Sequence, residues 1–269
     1  MLCYLINLDR AADRLAAFDR QARALGIALR RIRAVDARDL SAGVGRLTRA
    51  ELACFLSHRL AWRAVLEGQE EWAFIAEDDL CFSAAAARFL ADAAWIPPMA
   101  QLIKAETTFS PLLRGFSPIA RAHGHRLEEL WSWHWGCAGY FLSRRGAERL
   151  LALGEVPAAP VDQLVFQPGP ERYHDMPLLQ LVPAICAQEM VLAARRGRAP
   201  SLPSLIDQDE PREVPGLAAA TPPAITPARL WQELRGRLHR ARLYLRREAI
   251  LGPVPLAPLL RLPEAEAAA

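Results

Sequence analysis

Three consecutive carboxylates, Glu77, Asp78 and Asp79, directly follow the short apolar run at residues 72–76. Such a run is typical of a buried strand of a parallel sheet, and open α/β sheets bind ligands at the carboxyl ends of those strands. Carboxylate oxygens suit Mg²⁺ or Mn²⁺, and both ions also bind phosphates. Because side chains two residues apart on an extended backbone point the same way, Glu77 and Asp79 are candidate ligands of one cation, with Asp78 on the other side. The alternative is a solvated acidic turn.

A second polar cluster lies where the first predicted strand, residues 2–6, meets the first predicted helix. It comprises residues 7–10 together with Asp13 and Arg14. A helix N-terminus offers N–H groups and partial positive charge to phosphates, and Arg14 adds a charge-assisted contact. The sequence has no glycine-rich phosphate loop of the Rossmann or Walker type. The alternative is that Asp9 is a simple N-cap and Arg14 a surface charge.

Three further residues are of types that take part in catalysis or substrate binding. Ser57 and His58 lie in the middle of a predicted helix, where His58 contacts either a substrate or its neighbours in the core. Asp162 follows Pro160 and Val161 in an apolar stretch, and an acid in such surroundings is a candidate general base. A cap for the helix that follows is the alternative role of Asp162.

Trp131, Trp133 and Trp135 alternate along the chain, as side chains on one face of a strand do. Aromatic faces of this kind bind sugar rings well. Packing into the protein core is the alternative interpretation.

Hydrophobic periodicity predicts the elements that position these residues. Strands at residues 2–6 and 29–35 flank a helix that ends at Gly26, a residue suited to a C-cap. A capping-box pattern at Thr48 and Glu51 predicts the start of a second helix. The β-α-β opening indicates an α/β fold with a mostly parallel central sheet.

The later part of the chain is less regular. Residues 139–143 are predicted to form a strand, and residues 107–136 are interpreted as a long irregular insert. A late strand is predicted at residues 178–185, where Pro183 places it at an edge of the sheet.

The composition is that of an ordinary globular protein, with 269 residues, 52% hydrophobic and 23% charged. This length fits one α/β domain with a tail. A net charge of +3 gives no field that attracts nucleic acid. The five scattered cysteines favour a reducing compartment. Because no signal peptide and no membrane-spanning run is found, we expect a cytoplasmic protein.

Together these motifs resemble glycosyltransferase family 25, the lipooligosaccharide galactosyltransferase group. Six segments are similar to the family's motifs and keep their order, within about residues 2–190. They are residues 4–10 with 13–14, 33–37, 47–58, 74–79, 136–147 and 160–162. Two departures are Ala11 and Cys137, which stand where the family commonly has serine and threonine.

The resemblance implies a GT-A-like nucleotide-sugar-binding fold, a divalent cation (Mn²⁺ or Mg²⁺) and an inverting transfer. The implied donor is UDP-galactose, and the implied acceptor is a lipopolysaccharide or lipooligosaccharide glycan. The resemblance implies Glu77 and Asp79 as metal ligands, and Asp162 and Asp78 as catalytic residues. The residues implied to bind the nucleotide or the sugar are Asn7, Leu8, Asp9, Arg14, Asp36, Ser57, His58 and Lys104.

Two other functions fit the same residues. One is a non-catalytic member of the family that serves as a membrane-associated scaffold for glycan assembly. The other is a metal-dependent nucleotidyl or phosphoryl transferase. The presence of both Glu77 and Asp79 favours an enzyme over a scaffold.

The composition changes after residue 195. We assign residues 1–195 to the catalytic domain, 196–225 to a linker rich in Pro and Ala, and 226–269 to a basic tail. An amphipathic helix is predicted at 226–248, where seven arginines and two glutamates give about +5. Such a helix suits an anionic surface, so peripheral attachment to the inner membrane is one prediction. Packing of the helix on the catalytic domain is the alternative.

Overall fold

The computed structural model describes residues 1–201 and 249–260, except for the side chain of Glu171. The α-helices of these residues are α1 (Ala12–Leu25), α2 (Arg49–Glu67), α3 (Ala86–Ala91), α4 (Arg144–Leu151), α5 (Val161–Phe166) and α6 (Glu189–Arg195). Short 3₁₀ helices are formed by Ala37–Asp39 and Gly169–Glu171.

The strands of the described residues are β1 (Leu2–Asn7), β2 (Ala28–Arg33), β3 (Trp72–Glu77), β4 (Leu80–Phe82), β5 (Leu102–Lys104), β6 (Pro111–Gly115), β7 (Ala120–Ala122), β8 (His125–Glu129), β9 (Gly139–Ser143), β10 (Leu178–Val182), β11 (Cys186–Gln188) and β12 (Ala249–Pro253). Eight of them form the main sheet in the order β2-β1-β3-β9-β5-β10-β8-β7. Strands β11 and β4 pair separately, as do β12 and β6.

The main sheet is mixed, so the prediction of a mostly parallel sheet is confirmed only in part. Strands β2, β1 and β3 are parallel, as the β-α-β opening predicts. Strand β9 is antiparallel to both of its neighbours, and β8 is antiparallel to β10 and β7. The antiparallel strands β7 and β8 are short and lie in the segment interpreted as irregular, where hydrophobic periodicity gives no signal.

The local signals of the first half are confirmed. Helix α1 ends at Gly26, which has a positive φ of 67° and donates its N–H to the carbonyls of Ala22 and Arg23. Helix α2 begins with the capping box, since Thr48 and Glu51 satisfy one another's backbone N–H groups. Both ends are therefore fixed by interactions within a few residues.

Hydrophobic side chains fill both faces of the main sheet. In β9, Tyr140 and Leu142 point to the face covered by α2, α4 and α5, whereas Phe141 points to the opposite face with Phe18 of α1 and Phe89 of α3. All five side chains are fully or almost fully buried. The sheet therefore lies between two helical layers, as in other α/β proteins.

Two predictions for the second half are corrected. The segment at 107–136 contains β6, β7 and β8 and is therefore not an irregular insert. Strand β10 is not at an edge but lies between β5 and β8. Pro183 follows β10 directly, so its missing N–H removes no hydrogen bond from the interior of the strand.

The last described residues pack against the main body of the protein. Strand β12 pairs with β6, and Val254 is completely buried. The Thr107 hydroxyl donates to the Val254 carbonyl at 2.6 Å, and the Ala257 N–H donates to the Ala184 carbonyl at 2.9 Å. Part of the segment assigned to the tail thus completes the fold.

The predicted helix at 226–248 and most of the predicted linker lie outside the described residues. Among the helices that the structure does describe, none combines the length and the apolar character needed to cross a bilayer.

We predict that a chain ending at residue 248 is less stable than one ending at residue 260. The shorter chain loses β12 and the buried side chain of Val254, and burial of one such side chain contributes about 1.5–3 kcal/mol. For a protein of this size we expect a decrease in Tm of about 4–8 °C, measured by circular dichroism. The chain ending at 260 keeps every described contact and is the control. Equal Tm values for the two chains would show that β12 does not stabilise the fold.

Candidate functional site

Most of the predicted site residues gather at the carboxyl ends of β1, β2 and β3. A cavity of about 130 Å³ lies there. A neighbouring groove of about 480 Å³ shares Leu8, Arg10, Ala34 and Val35 with the cavity, so the two form one opening, here called the sheet-edge cleft. The predicted residues that line it are Asn7, Leu8, Asp9, Arg14, Asp36, Ser57, Glu77, Asp78 and Asp79.

Asp78, which directly follows β3, connects β1 to α1. One of its carboxylate oxygens accepts a hydrogen bond from Asn7 Nδ2 at 2.7 Å, and the other pairs with Arg14 Nη1 at 3.1 Å. Asn7 is itself buried and accepts from Arg31 Nε at 2.8 Å. In this geometry Asp78 holds Arg14 in place. The predicted catalytic role of Asp78 stays a prediction.

Glu77 lies at the end of a chain of buried hydrogen bonds. Trp62 Nε1 donates to the Tyr140 oxygen at 2.8 Å, and this oxygen lies 2.9 Å from His58 Nδ1. Because the Tyr140 oxygen accepts from Trp62, its own hydroxyl proton is donated to His58 Nδ1. The imidazole proton of His58 is then on Nε2, which donates to Glu77 Oε1 at 3.1 Å. Burial lowers the pKa of His58 to about 3, so the imidazole is neutral at physiological pH.

Asp79 lies deep in the same cleft. Its Oδ2 accepts a hydrogen bond from Gln188 Nε2 at 3.2 Å, whereas its Oδ1 is buried and has no hydrogen-bond partner among the described residues. Burial raises the pKa of Asp79 well above its usual value, and the charges of Glu77 and Asp78 raise it further. An unpartnered buried carboxylate oxygen that faces other acids is the kind of group that a cation satisfies.

Arginines surround the acids of the outer groove. Asp36 accepts from Arg38 and, at 3.0 Å, from Arg10, and these hydrogen bonds hold its pKa below the usual range. Asp9 pairs with Arg31 at 2.7 Å and with another arginine of β2. The hydrogen bond from Arg31 likewise lowers the pKa of Asp9. Both acids are therefore charged and matched by cations.

Ser57 and Asp162 both fix the backbone near the cleft. Ser57 Oγ donates to the Ala53 carbonyl at 2.7 Å and accepts from the Val35 N–H at 2.9 Å, which ties α2 to the chain after β2. Asp162 lies in the first turn of α5, and its Oδ2 accepts from the Gly136 N–H at 3.0 Å. Burial is the main cause that raises the pKa of Cys54 and of Glu77, and the charge of Asp162 adds a smaller contribution to both.

Lys104 is completely buried and is not among the residues that line the sheet-edge cleft. Its Nζ pairs with Glu106 Oε1 at 2.9 Å, donates to the Gly136 carbonyl and lies 4.1 Å from the centroid of the Phe166 ring. The same Glu106 oxygen accepts from the Ala138 N–H at 2.9 Å. This buried ion pair therefore holds the segment before β9.

Several residues of the site were not predicted from the sequence. Gln188 comes from β11, so nothing near Asp79 in the sequence indicates it. Tyr140 and Trp62 likewise meet His58 only through the fold. Cys54 has a readable signal, because its i, i+4 spacing from His58 places both side chains on the same face of α2.

Within residues 1–201 and 249–260, two sets of side chains have the chemistry to hold a metal ion. The predicted set is Glu77 with Asp79, which has hard oxygen ligands. The second set is Cys54, His58 and Glu77, whose ligand atoms all lie within 4.8 Å of one another. Of these two sets, the first offers a buried carboxylate oxygen, Asp79 Oδ1, that has no hydrogen-bond partner among the residues described.

The fold and the site define an α/β protein with an acidic, arginine-flanked ligand cleft at the carboxyl ends of parallel strands. Residues 1–165 match the family described as glycosyltransferase family 25 (LPS biosynthesis protein). The match covers more than half of the chain, and the chain belongs to this family.

Among its relatives is the lacto-N-neotetraose biosynthesis glycosyltransferase LgtB of Neisseria meningitidis serogroup A, which is 36% identical over 172 residues. The aligned region covers 61% of each chain. The LgtE protein of serogroup B is 28% identical over 62% of each chain. The lipooligosaccharide biosynthesis protein lex-1 of Haemophilus influenzae is 30% identical over 54% of this chain and 51% of its own. The chain thus matches about three fifths of the LgtB sequence and half of lex-1.

We predict that Glu77 makes the metal-free protein less stable as the pH rises from 5 to 8. Burial, followed by the charges of Glu106 and Asp78, raises the pKa of Glu77 to about 8, above its usual 4.5. Between these values the folded state keeps a proton that the unfolded state loses, so the free energy of unfolding falls by at most about 1.4 kcal/mol per pH unit. Glu77→Gln removes this contribution.

Urea denaturation in EDTA at several pH values measures the difference in the free energy of unfolding between the wild type and Glu77→Gln. This difference is expected to shrink or reverse as the pH rises. The control is Glu67→Gln, at an exposed position at the end of α2, and it should follow the wild type. Parallel stability profiles for wild type and Glu77→Gln would contradict the assigned environment of Glu77.

Proposed function

We propose that the chain transfers a hexose, galactose from UDP-galactose, to a glycan acceptor in lipopolysaccharide or lipooligosaccharide biosynthesis, with inversion at the anomeric carbon. The observation that carries the proposal is the sheet-edge cleft, in which buried carboxylates and arginines face one ligand space. Family membership and the name of the relative LgtB support glycosyl transfer, and the name of lex-1 supports a role in lipooligosaccharide biosynthesis. The proposal includes a GT-A-like arrangement, with which the mixed eight-stranded sheet is compatible.

The nucleotide sugar is proposed to lie along the sheet-edge cleft. The inner cavity of about 130 Å³ is smaller than a whole nucleotide sugar, so the ligand must extend into the outer groove. Arg10 lines both parts and Arg14 lines the inner cavity, and both guanidinium groups suit a diphosphate. Asn7 and Leu8 line the inner cavity. Asp36 lines the outer groove, and we propose that it accepts hydrogen bonds from the nucleoside.

The residues of the inner cavity fit a divalent cation, Mn²⁺ or Mg²⁺. Asp79 has a buried oxygen to which no described residue donates a hydrogen bond. Burial raises the pKa of both Asp79 and Glu77, as expected for carboxylates that lack a counter-ion. Glu77 and Asp79 would hold the ion. When bound, the ion neutralises charge on the departing diphosphate.

The remaining steps are assigned to side chains. The bond from the anomeric carbon to the diphosphate breaks, the acceptor oxygen forms the new bond from the opposite face, and Asp162 takes the proton of the acceptor hydroxyl. Neutral His58 donates to Glu77 and keeps its carboxylate oriented. Asp78 holds Arg14 toward the diphosphate. Lys104, paired with Glu106, supports the loop beside Asp162 and does not contact the donor phosphates.

The site of action is proposed to be the cytoplasmic side of the inner membrane, where a lipid-linked acceptor would be present. The basic composition of residues 226–248 supports attachment to an anionic lipid surface.

The proposal is tested by thermal shift with UDP-galactose, UDP-glucose, UDP-N-acetylglucosamine and GDP-mannose, each with and without Mn²⁺. We expect the largest, Mn²⁺-dependent increase in Tm with UDP-galactose, since a ligand at 100 times its Kd stabilises the native state by about 2.7 kcal/mol. The Asp79→Asn variant should lose the part of the increase in Tm that depends on Mn²⁺. Asp19→Asn, on the outer side of α1 in an exposed ion pair, should retain it.

Three results would contradict parts of this proposal. No shift with any nucleotide would favour a non-catalytic scaffold. Equal shifts in Asp79→Asn and wild type would remove Asp79 from the metal site. Release of galactose 1-phosphate as UMP is transferred, or release of UMP as galactose 1-phosphate is transferred, in place of release of UDP, would indicate a nucleotidyl or phosphoryl transferase.

A further inference from the structure

A second cleft, larger than the inner cavity, lies where β8 ends and β10 begins, and it has a different chemistry. It has a volume of about 700 Å³, within the range of pockets that hold drug-sized ligands and large enough for a disaccharide. It lies between the chain after β8, with Trp131 and Trp133, and the chain after α5, with Gln167 and Arg172. We call it the tryptophan cleft.

The tryptophans of this cleft are available to a ligand. Trp133 is 40% exposed, and Trp131 is partly exposed. Between Trp133 and Trp135, the side chain of His134 is completely buried and its Nδ1 lies 2.8 Å from the Trp135 carbonyl oxygen. The buried histidine anchors this segment, so the neighbouring indole of Trp133 is held at the surface and not in the core. Of the two sequence-based interpretations of these tryptophans, sugar binding therefore fits Trp133 better.

The lining of the tryptophan cleft carries both acidic and basic side chains and suits an uncharged ligand. Its ionisable lining contains Glu129 and Asp175 as well as Arg172 and His174. Asp175 already pairs with Arg149, and His174 Nε2 lies 2.9 Å from a backbone carbonyl. In contrast to the sheet-edge cleft, no group of arginines faces a buried acid here. A phosphate has no matched site in this lining, whereas hydroxyl groups find both donors and acceptors.

Two chain segments connect the tryptophan cleft to the transfer site. They meet where the Gly136 N–H donates to Asp162 Oδ2 at 3.0 Å. Trp133 precedes Gly136 by three residues, which span at most about 10 Å. Gln167 follows Asp162 by five residues of helix α5, which rise about 8 Å. The end of the cleft formed by Trp133 and Gln167 therefore lies within about two sugar-ring lengths of the proposed base.

We propose that the tryptophan cleft binds the acceptor as a neutral oligosaccharide, with a sugar ring stacked on Trp133 and the chain end that receives the hexose directed toward Asp162. This inference rests on the proposed glycosyl transfer and names the acceptor part of the same site. The apolar face of a pyranose ring covers an indole, while its hydroxyl groups remain free for the polar lining.

The test measures acceptor binding without turnover. Wild type, Trp133→Ala, Trp133→Phe and Phe116→Ala are titrated by calorimetry with lactose, N-acetyllactosamine and N,N′-diacetylchitobiose, in the absence of a donor. We expect at least one disaccharide to bind wild type, Trp133→Ala to weaken its Kd at least tenfold, and Trp133→Phe to restore most of it. Phe116 is exposed and does not line the cleft, so Phe116→Ala is the matched control.

A second readout separates this inference from the proposed function. In Trp133→Ala, the Mn²⁺-dependent thermal shift with UDP-galactose and the slow hydrolysis of the donor should be unchanged, while the KM for the acceptor rises. Failure of the nucleotide shift in the wild type would remove the proposed function and leave Trp133-dependent disaccharide binding standing. The inference is overturned if no disaccharide of the set binds the wild type, or if Trp133→Ala binds as tightly as the wild type.

Discussion

Three adjacent carboxylates are held at the edge of the sheet with little contact to solvent, and each needs a partner. Asp78 has Arg14 and Asn7, and Glu77 has neutral His58. Asp79 keeps one buried oxygen that has no partner in the part of the chain that the structure describes. Since burial of charge is costly unless it is paired, the cluster is stable only in a structure that supplies these partners or a cation. The arrangement of β1, α1 and α2 around β3 supplies the partners.

The partners are fixed in turn by the rest of the fold. Helix α2 places Cys54 and His58 on one face, and the hydrogen-bond chain through Tyr140 makes the orientation of His58 depend on β9. Strand β9 is preceded by the loop that the Lys104–Glu106 pair and Asp162 hold. The same loop leads to the tryptophan cleft. Donor site, proposed base and proposed acceptor site therefore share one continuous set of contacts.

Sequence patterns predict the parts of this structure that depend on neighbours in the chain. The β-α-β opening, the end of α1 at Gly26 and the capping box at Thr48 follow from local rules, and most of the polar residues at the sheet edge were identified. The direction of β9 and the strands between residues 107 and 136 depend on long-range pairing and were missed. The burial of Lys104 against Glu106 and the contact of Gln188 with Asp79 join distant segments, and no local pattern encodes them.

The central claim is that the carboxylate cluster and Arg14 together hold a cation and a diphosphate. A crystal structure of the protein with UDP and Mn²⁺, with data collected at the manganese absorption edge, tests it most directly. The account predicts an anomalous peak at bonding distance, about 2.0–2.3 Å, from carboxylate oxygens of Glu77 or Asp79, and a diphosphate within hydrogen-bond distance of Arg14. A diphosphate bound elsewhere, or a manganese peak away from both carboxylates, would contradict it.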